Sequence, residues 1–298
     1  MIYTITLNPS LDYVVEIDKL AAGGINRTKK EKIYPGGKGI NVSIVLQNLG
    51  VENCALGFIA GFTGKEFERR VIACGCKTDF IVLNHGFSRI NIKIKSERES
   101  EINGQGPVIT QEDLSLLYQK LDIIQSEDIL VLAGSIPSSL SEDVYKNICS
   151  YLASKNVRIV VDAAGQLLLN VLPYHPFLIK PNKQELEEVF GVDLQYDGEI
   201  ICYAKKLQQM GARNVLVSLA DYGAVLVTWE GQVFRRTPPN GKVVNSVGAG
   251  DSMVAGYLAS YLETGSYQNA LAMGLAAGSA TAFSEWLASK EEILALLK

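Results

Sequence analysis

Apolar residues along this chain fall into two alternating rhythms. Short Val/Ile/Leu-rich runs stand at Ile2–Leu7, Cys54–Phe58, Ile129–Leu132, Arg158–Val161, Phe177–Ile179, Asn214–Ser218 and Ala224–Val227. Strands that are covered on both faces have this near-continuous apolar character. Between them the spacing becomes helical, and helices are expected to begin near Gly39, Gly64, Gln111, Ser141, Asn182, Gly198 and Ala249. The alternation predicts an α/β fold, a doubly wound and mostly parallel sheet in a single domain spanning residues 1–298.

Two regions keep a different rhythm. Tyr13–Leu20 with Thr28–Tyr34, and Arg89–Lys95 with Glu97–Ile102, alternate polar and apolar residues. Ile90, Ile92 and Ile94 fall on one face of their strand, and Arg89, Asn91, Lys93 and Lys95 on the other. One-sided strands predict a separate small sheet, built from segments at about 12–35 and 88–104. Its apolar face, with Val14 or Val15 opposite the isoleucines, would be wet in a monomer, so a homodimer joined partly through this sheet is expected.

Composition narrows the choice of partners. Hydrophobic residues are 47% and charged residues 20% of the 298, which allows a large buried core. The net charge is −4 and no basic tract is interleaved with aromatics, so nucleic acid is not an expected partner. Ala270–Phe283, rich in Ala, Gly and Ser, is too short to span a bilayer and reads as a tightly packed core helix; no membrane partner is expected. The N-terminus enters a strand directly, without the layout of a signal peptide. Five cysteines, mostly in apolar segments, read as reduced thiols of a cytoplasmic protein. Cys74-Gly75-Cys76 has no second cluster that would make it a metal site. His85 and His175 are too few for a histidine metal centre or a Ser–His–Asp triad.

The chemistry concentrates at Val243–Gly256. There Gly248-Ala249-Gly250 lies where a loop enters a helix, and Asp251 stands in the first turn. The first N–H groups of a helix lack partners and carry partial positive charge, and glycines let them approach an anion. On the segment alone Asp251 is either a charge partner for the helix or a general base beside a phosphoryl group. Gly36-Gly37-Lys38-Gly39 is a second glycine loop. It is not a P-loop, because the earlier glycine is missing and Gly39 follows the lysine where Ser or Thr is required. No GxGxxG follows a strand.

Asn245-Ser246-Val247-Gly248-Ala249-Gly250-Asp251-Ser252 resembles the C-terminal signature of the ribokinase-like carbohydrate kinases, and Pro35–Ser43 resembles their N-terminal one. The two occur in the right order, and the resemblance runs over essentially the whole chain. It implies ATP and Mg2+ as co-substrate and cofactor, with the small sheet as a lid over the sugar. The amides of Gly248, Ala249 and Gly250 would form an anion hole for the γ-phosphate, with Asp251 as the base. Asp12, Gly37, Lys38, Asn41 and Asn103 would meet the sugar. Lys38 with Arg27 and Arg89 would bring three cations from separate segments over one site, which implies an anionic substrate, a sugar phosphate. Lys180, Asn182 and Glu185 would organise the triphosphate, the latter two holding Mg2+ through its waters. Ser218, Ala220 and Gly223 match the nucleotide loop, where Gly is more usual at the position of Ala220. Gly274–Ser279 would either line the adenine pocket or serve tight helix packing.

Residue chemistry leaves fructose 1-phosphate, fructose 6-phosphate and tagatose 6-phosphate open, because each offers a phosphate at one end of a furanose and a primary hydroxyl at the other. Arg89–Lys93 and Glu101–Pro107 resemble the family members that act on fructose 1-phosphate. The resemblance therefore implies phosphorylation of the 6-hydroxyl of D-fructose 1-phosphate to fructose 1,6-bisphosphate. A tagatose-6-phosphate kinase is the nearest alternative; a kinase for a neutral sugar and a non-catalytic sugar-phosphate sensor are the others.

Overall fold

The computed structural model describes residues 1–297. At its centre is β1 (Ile2–Thr6), flanked by β4 (Asn53–Ala60) and β9 (Ile129–Ala133), both parallel, so that Ile5 lies beside Leu56 and Leu132. Beyond β9 come β10 (Arg158–Asp162), β11 (Leu178–Ile179) and β12 (Asn214–Ser218), again parallel. A hairpin of β13 (Ala224–Val227) and β14 (Val233–Arg236) closes that edge antiparallel. At the other edge β5 (Lys77–Thr78) and β6 (Ile81–Leu83) pair with β4, which completes a 10-stranded sheet.

Alternate residues of these strands feed two cores. In β9, Leu130 and Leu132 join the core under α3 (Gln111–Leu121), α4 (Val144–Leu152), α5 (Gly165–Val171), α6 (Lys183–Phe190) and α7 (Asp197–Gln209). Ile129, Val131 and Ala133 join the opposite core, with α1 (Lys38–Asn48), α2 (Gly61–Ala73), α8 (Ala249–Thr264), α9 (Tyr267–Phe283) and α10 (Lys290–Ala295). Helices on both faces explain why the strands lack a polar side. The Ala/Gly/Ser run in α9 lets it lie close against α8: a Cβ on Gly278 would come 2.9 Å from the Ala249 carbonyl oxygen. Among the described residues no helix is long and apolar enough to cross a membrane.

The small sheet has the order β3 (Lys30–Gly36), β2 (Ser10–Glu16), β7 (Arg89–Lys95), β8 (Ser100–Asn103). Its register puts Leu11 beside Ile90, Tyr13 beside Ile92 and Val15 beside Ile94, with Ile33 and Ile102 flanking. Val15, not Val14, thus shares the isoleucine face; Val14 lies with Asp12, Asn91 and Lys93 on the other. β2 begins earlier than the expected Tyr13. Ser10 and Asp12 are turned toward a cleft rather than a core, so their polarity hides the start of the strand. Lys30 and Lys32 pair with Glu285, and Tyr34 stacks on Trp286 with ring centroids 4.9 Å apart, tying this sheet to the main body.

Candidate active site

In an open parallel sheet, ligands bind beyond the carboxyl ends of the strands, where the strand order reverses. Here the reversal lies at β1, between β4 and β9, and the loops beyond it enclose an open cleft of about 490 Å³.

At one end of the cleft is the N-terminus of α8. Gly248 caps it with φ +82, and a Cβ there would press 2.8 Å from Leu287 Cδ2. Asp251, in the first turn, is only 5% exposed, and Asn41 Nδ2 donates to its Oδ2 at 2.8 Å. Burial, reinforced by the nearby Asp162 carboxylate, pushes the Asp251 carboxyl up to about 6, against the opposing pull of Asn41, Lys38 and Lys180. The Ala249 N–H donates to the Ser246 carbonyl at 3.2 Å, whereas Gly250 and Asp251 line the cleft, and first-turn amides have no intrahelical acceptor.

Two ammonium groups stand beside this helix end. Lys38 opens α1 and Lys180 follows β11, and their Nζ atoms lie 3.1 and 3.4 Å from Asp162 Oδ1. Asp162 ends β10 and is wholly buried. Burial works against its charge, but Lys180 and Lys38 outweigh that and hold its carboxyl below the usual range. Burial likewise works against the Lys38 charge, and Asp162 with Asp251 outweighs it, so Lys38 stays firmly protonated. Gly250 lies close beside Lys180: a Cβ there would lie 3.2 Å from its Nζ and crowd it by a few tenths of an ångström.

The other end belongs to the small sheet and the loops beside it. Asp12 Oδ1 accepts from Ser10 Oγ at 2.7 Å and from Asn91 Nδ2 at 3.0 Å, while Lys93 Nζ lies 3.4 Å from Oδ2. Gly36 must lack a side chain because its Cβ would fall 2.6 Å from the Asp12 carboxylate. Gly37, at φ +123, caps α1 beneath the cleft. Arg89 donates through Nε to the Asn8 carbonyl at 3.0 Å.

Toward the β12 side, Asn182 and Glu185 form a reciprocal cap on α6. Asn182 Oδ1 accepts from the Glu185 N–H at 2.7 Å, and Glu185 Oε2 from the Asn182 N–H at 2.8 Å. Both line the cleft with Ser218. In the next loop Ala220 has φ +47 and Gly223 φ +92. A left-handed conformation costs an L-residue about 1–2 kcal/mol, which gives a reason for glycine to be the more usual residue where Ala220 stands.

Of the expected contacts, Asp12, Gly37, Lys38, Asn41, Arg89, Lys180, Asn182, Glu185, Ser218, Gly248, Gly250 and Asp251 all line this one cleft. Arg27 is exposed on the loop between β2 and β3, and Asn103 is exposed at the end of β8; neither lines it. Gly274 and Ser279 are buried in α9, and a Cβ on Gly274 would come 2.9 Å from the Met253 carbonyl oxygen of α8. Asn91, Lys93 and Asp162 line the cleft as well, without having been assigned roles from the sequence. The first two sit on the polar face that the alternation marks beside Arg89. Asp162 had only the weak signal of an acid that closes an apolar run.

A dry carboxylate at a helix N-terminus, ammonium groups alongside and a second acid at the opposite end suit transfer of a phosphoryl group to a polyol, the chemistry of a sugar kinase. The chain belongs to the pfkB family of carbohydrate kinases, whose family model matches residues 5–292. It is 46% identical to a 1-phosphofructokinase of Bacillus subtilis, covering 100% of this chain and 97% of that protein. It is 39% identical to a D-tagatose-1-phosphate kinase of Bacillus licheniformis, covering 96% and 94%. Among solved structures it is similar to phosphofructokinase-2 of Escherichia coli in complex with fructose-6-phosphate, with a TM-score of 0.92, 27% identity and 99% and 97% coverage.

Proposed function

We propose that this chain transfers the γ-phosphoryl group of Mg·ATP to the 6-hydroxyl of D-fructose 1-phosphate, giving fructose 1,6-bisphosphate. The observation that carries the reading is Asp251, buried at the N-terminus of α8, held by Asn41 and tuned to about 6. Such a carboxyl is largely ionised near neutral pH yet basic enough to take a proton from an attacking hydroxyl. Gly248, Gly250 and Asp251 supply backbone donors to the transferring group; the Ala249 N–H, also expected there, is engaged by the Ser246 carbonyl and joins only if that bond opens. Lys180 and Lys38 add charge where it accumulates. Asp12 and Asn41 accept and orient ring hydroxyls, and Arg89 meets the substrate phosphate with Lys93 close by. Arg27 and Asn103 join them only if their lid segments fold inward on closure, which would also keep water from the nucleotide.

Asn182 and Glu185 fit a hydrated Mg2+. Each spends one oxygen on the α6 cap, leaving Glu185 Oε1 for a metal-bound water. Among the described residues no group of three or more His, Cys, Asp or Glu could hold a metal ion, and Mg2+ habitually keeps several waters and shares phosphate oxygens. When bound, Mg2+ would neutralise triphosphate charge. Ser218, Ala220 and Gly223 are the proposed nucleotide contacts, with Gly274 and Ser279 of α9 proposed to close the adenine pocket. The half-exposed Ile33, Ile90 and Ile102 on the outer lid face support a homodimer through the lids. Five unpaired cysteines support a cytoplasmic location.

A second reading is favoured by the Bacillus licheniformis relative, whose name places the phosphate on C1 of tagatose rather than on C6. Tagatose 1-phosphate differs from fructose 1-phosphate at one ring carbon. The test is kcat/KM for fructose 1-phosphate, tagatose 1-phosphate, tagatose 6-phosphate and fructose 6-phosphate at one Mg·ATP concentration, read by coupled ADP release. Fructose 1-phosphate is expected to lead. A tenfold lead by a tagatose phosphate, about 1.4 kcal/mol of transition-state binding, would overturn the substrate assignment while leaving the chemistry intact.

A further inference from the structure

One buried acid has no task in the reaction described above. Asp162 is wholly inaccessible, yet its two oxygens are treated unequally: Oδ1 faces both Lys38 Nζ and Lys180 Nζ, and Oδ2 is buried with no hydrogen-bond partner. We propose that Asp162 is a positioning residue for phosphoryl transfer, which holds the two ammonium groups side by side at the N-terminus of α8 and balances the charge around the base. This rests on the kinase reading with Asp251 as base.

An ion pair kept only for stability gains most when every buried oxygen is satisfied. Here one oxygen gathers two cations from elements distant in sequence, the start of α1 and the end of β11. Side by side, two ammonium groups repel, and Lys180 is 4% exposed, so without a shared anion it would move toward solvent. An ammonium has three donors. After the contact with Asp162 each lysine keeps donors for other acceptors, and Lys180 lies so close to Gly250 that they reach the mouth of the anion site.

The charged groups facing Asp251 come from three elements: Asp162 of β10, Lys38 of α1 and Lys180 after β11, with Glu185 of α6 acting in turn on Lys38. From α9, Thr281 reaches Ser252 and adds no charge. Asp12, Arg89 and Lys93 line the lid end of the same cleft. Of the three facing groups only Asp162 repels the Asp251 carboxylate. Neutralising it removes that repulsion and leaves the two lysines uncompensated. Both changes favour the ionised base, so the acid limb of the rate profile must move to lower pH.

The test uses full-length Asp162→Asn, of the same shape without charge, and Asp162→Glu, charged but displaced by one methylene. The measurements are kcat and kcat/KM for fructose 1-phosphate across pH, and ATP affinity by titration calorimetry without sugar. Wild-type turnover establishes the kinase reading first; a wild-type protein inert toward every sugar phosphate sinks that reading and this inference with it. In an active enzyme, Asp162→Asn is expected to lower kcat on the order of 100-fold, as misplacement of a catalytic group does. Its acid limb in kcat/KM, which reports the free enzyme, should fall by roughly one pH unit. Nucleotide affinity should change by less than about tenfold, because a negative charge has been removed from an anion site. Asp162→Glu should keep the wild-type limb and lose kcat. An unmoved limb in Asp162→Asn, or affinity falling in step with kcat, would show a merely structural acid. Should Asp162→Asn fail to fold, Asp162→Glu decides alone: wild-type kcat in that variant overturns the proposal.

Discussion

Asn41→Leu isolates the base most cleanly. Asn41 is 8% exposed and gives its Nδ2 proton to Asp251 Oδ2 at 2.8 Å. Leucine keeps the branched shape, with somewhat larger volume, and removes the donor. A hydrogen bond to a charged group contributes about 1.5–3 kcal/mol, or roughly one to two pK units at 1.36 kcal/mol per unit. The bond favours the ionised form, so its loss raises the Asp251 carboxyl from about 6 to roughly 7–8. At pH 7 the ionised fraction then drops from about nine-tenths to between one half and one tenth, and kcat/KM should fall by about 2–10-fold from this cause alone. Any contact between Asn41 and the sugar lowers the alkaline plateau as well, so the diagnostic quantity is the position of the acid limb. A profile from about pH 5 to 9, with coupled ADP detection and a control that the coupling enzymes are not limiting, reads it directly. Asn41→Leu should shift the limb upward, opposite to Asp162→Asn. A limb that stays near 6 in Asn41→Leu means that Asp251 is not the group whose ionisation limits the rate.

The same carboxyl has a stability signature. Its folded pKa lies above the unfolded value of about 3.9, so the native state binds the extra proton between about pH 4 and 6 and stability is lost as pH rises through that window. Asp251→Asn should therefore raise the melting temperature at neutral pH, by the equivalent of about 1–3 kcal/mol, while kcat drops on the order of 10²–10⁴-fold; a less stable variant would contradict the burial argument. For the lid interface, Ile90→Lys with Ile102→Lys should convert a dimer to monomers in sedimentation velocity. A wild-type monomer at micromolar concentration would refute the interface outright.

Much of the layout was legible because it is local. A strand covered on both faces must be apolar at successive positions, and β9 and β12 announce themselves that way. Period-two alternation in Arg89–Lys95 marks a half-buried strand, and β7 spans just those residues. Glycines next to an acid at Gly248–Asp251 identify a helix N-terminus that admits an anion. The Ala/Gly/Ser run of α9 marks close helix packing. Short α5 and α10, and the small strands β5, β6 and β14, carry too few periods to stand out.

What the chain by itself determined is therefore the set of main elements and the two signature loops, with Asp251 as the candidate base, since each rests on residues within a turn or two of one another. Which side chains meet was decided by the tertiary structure alone. Asp12 finds Asn91 and Lys93 only because β2 and β7 pair in one register, and Val14 shares their face while Val15 joins the isoleucines for the same reason. Arg27 and Asn103 share segments with residues of the cleft and yet project outside it. Lys38, Asp162 and Lys180 are separated by long stretches of chain and become a charge cluster only when β10 and β11 align beside the start of α1. Electrostatic energy depends on distance in space and on exclusion of water, and neither is a property of sequence neighbours.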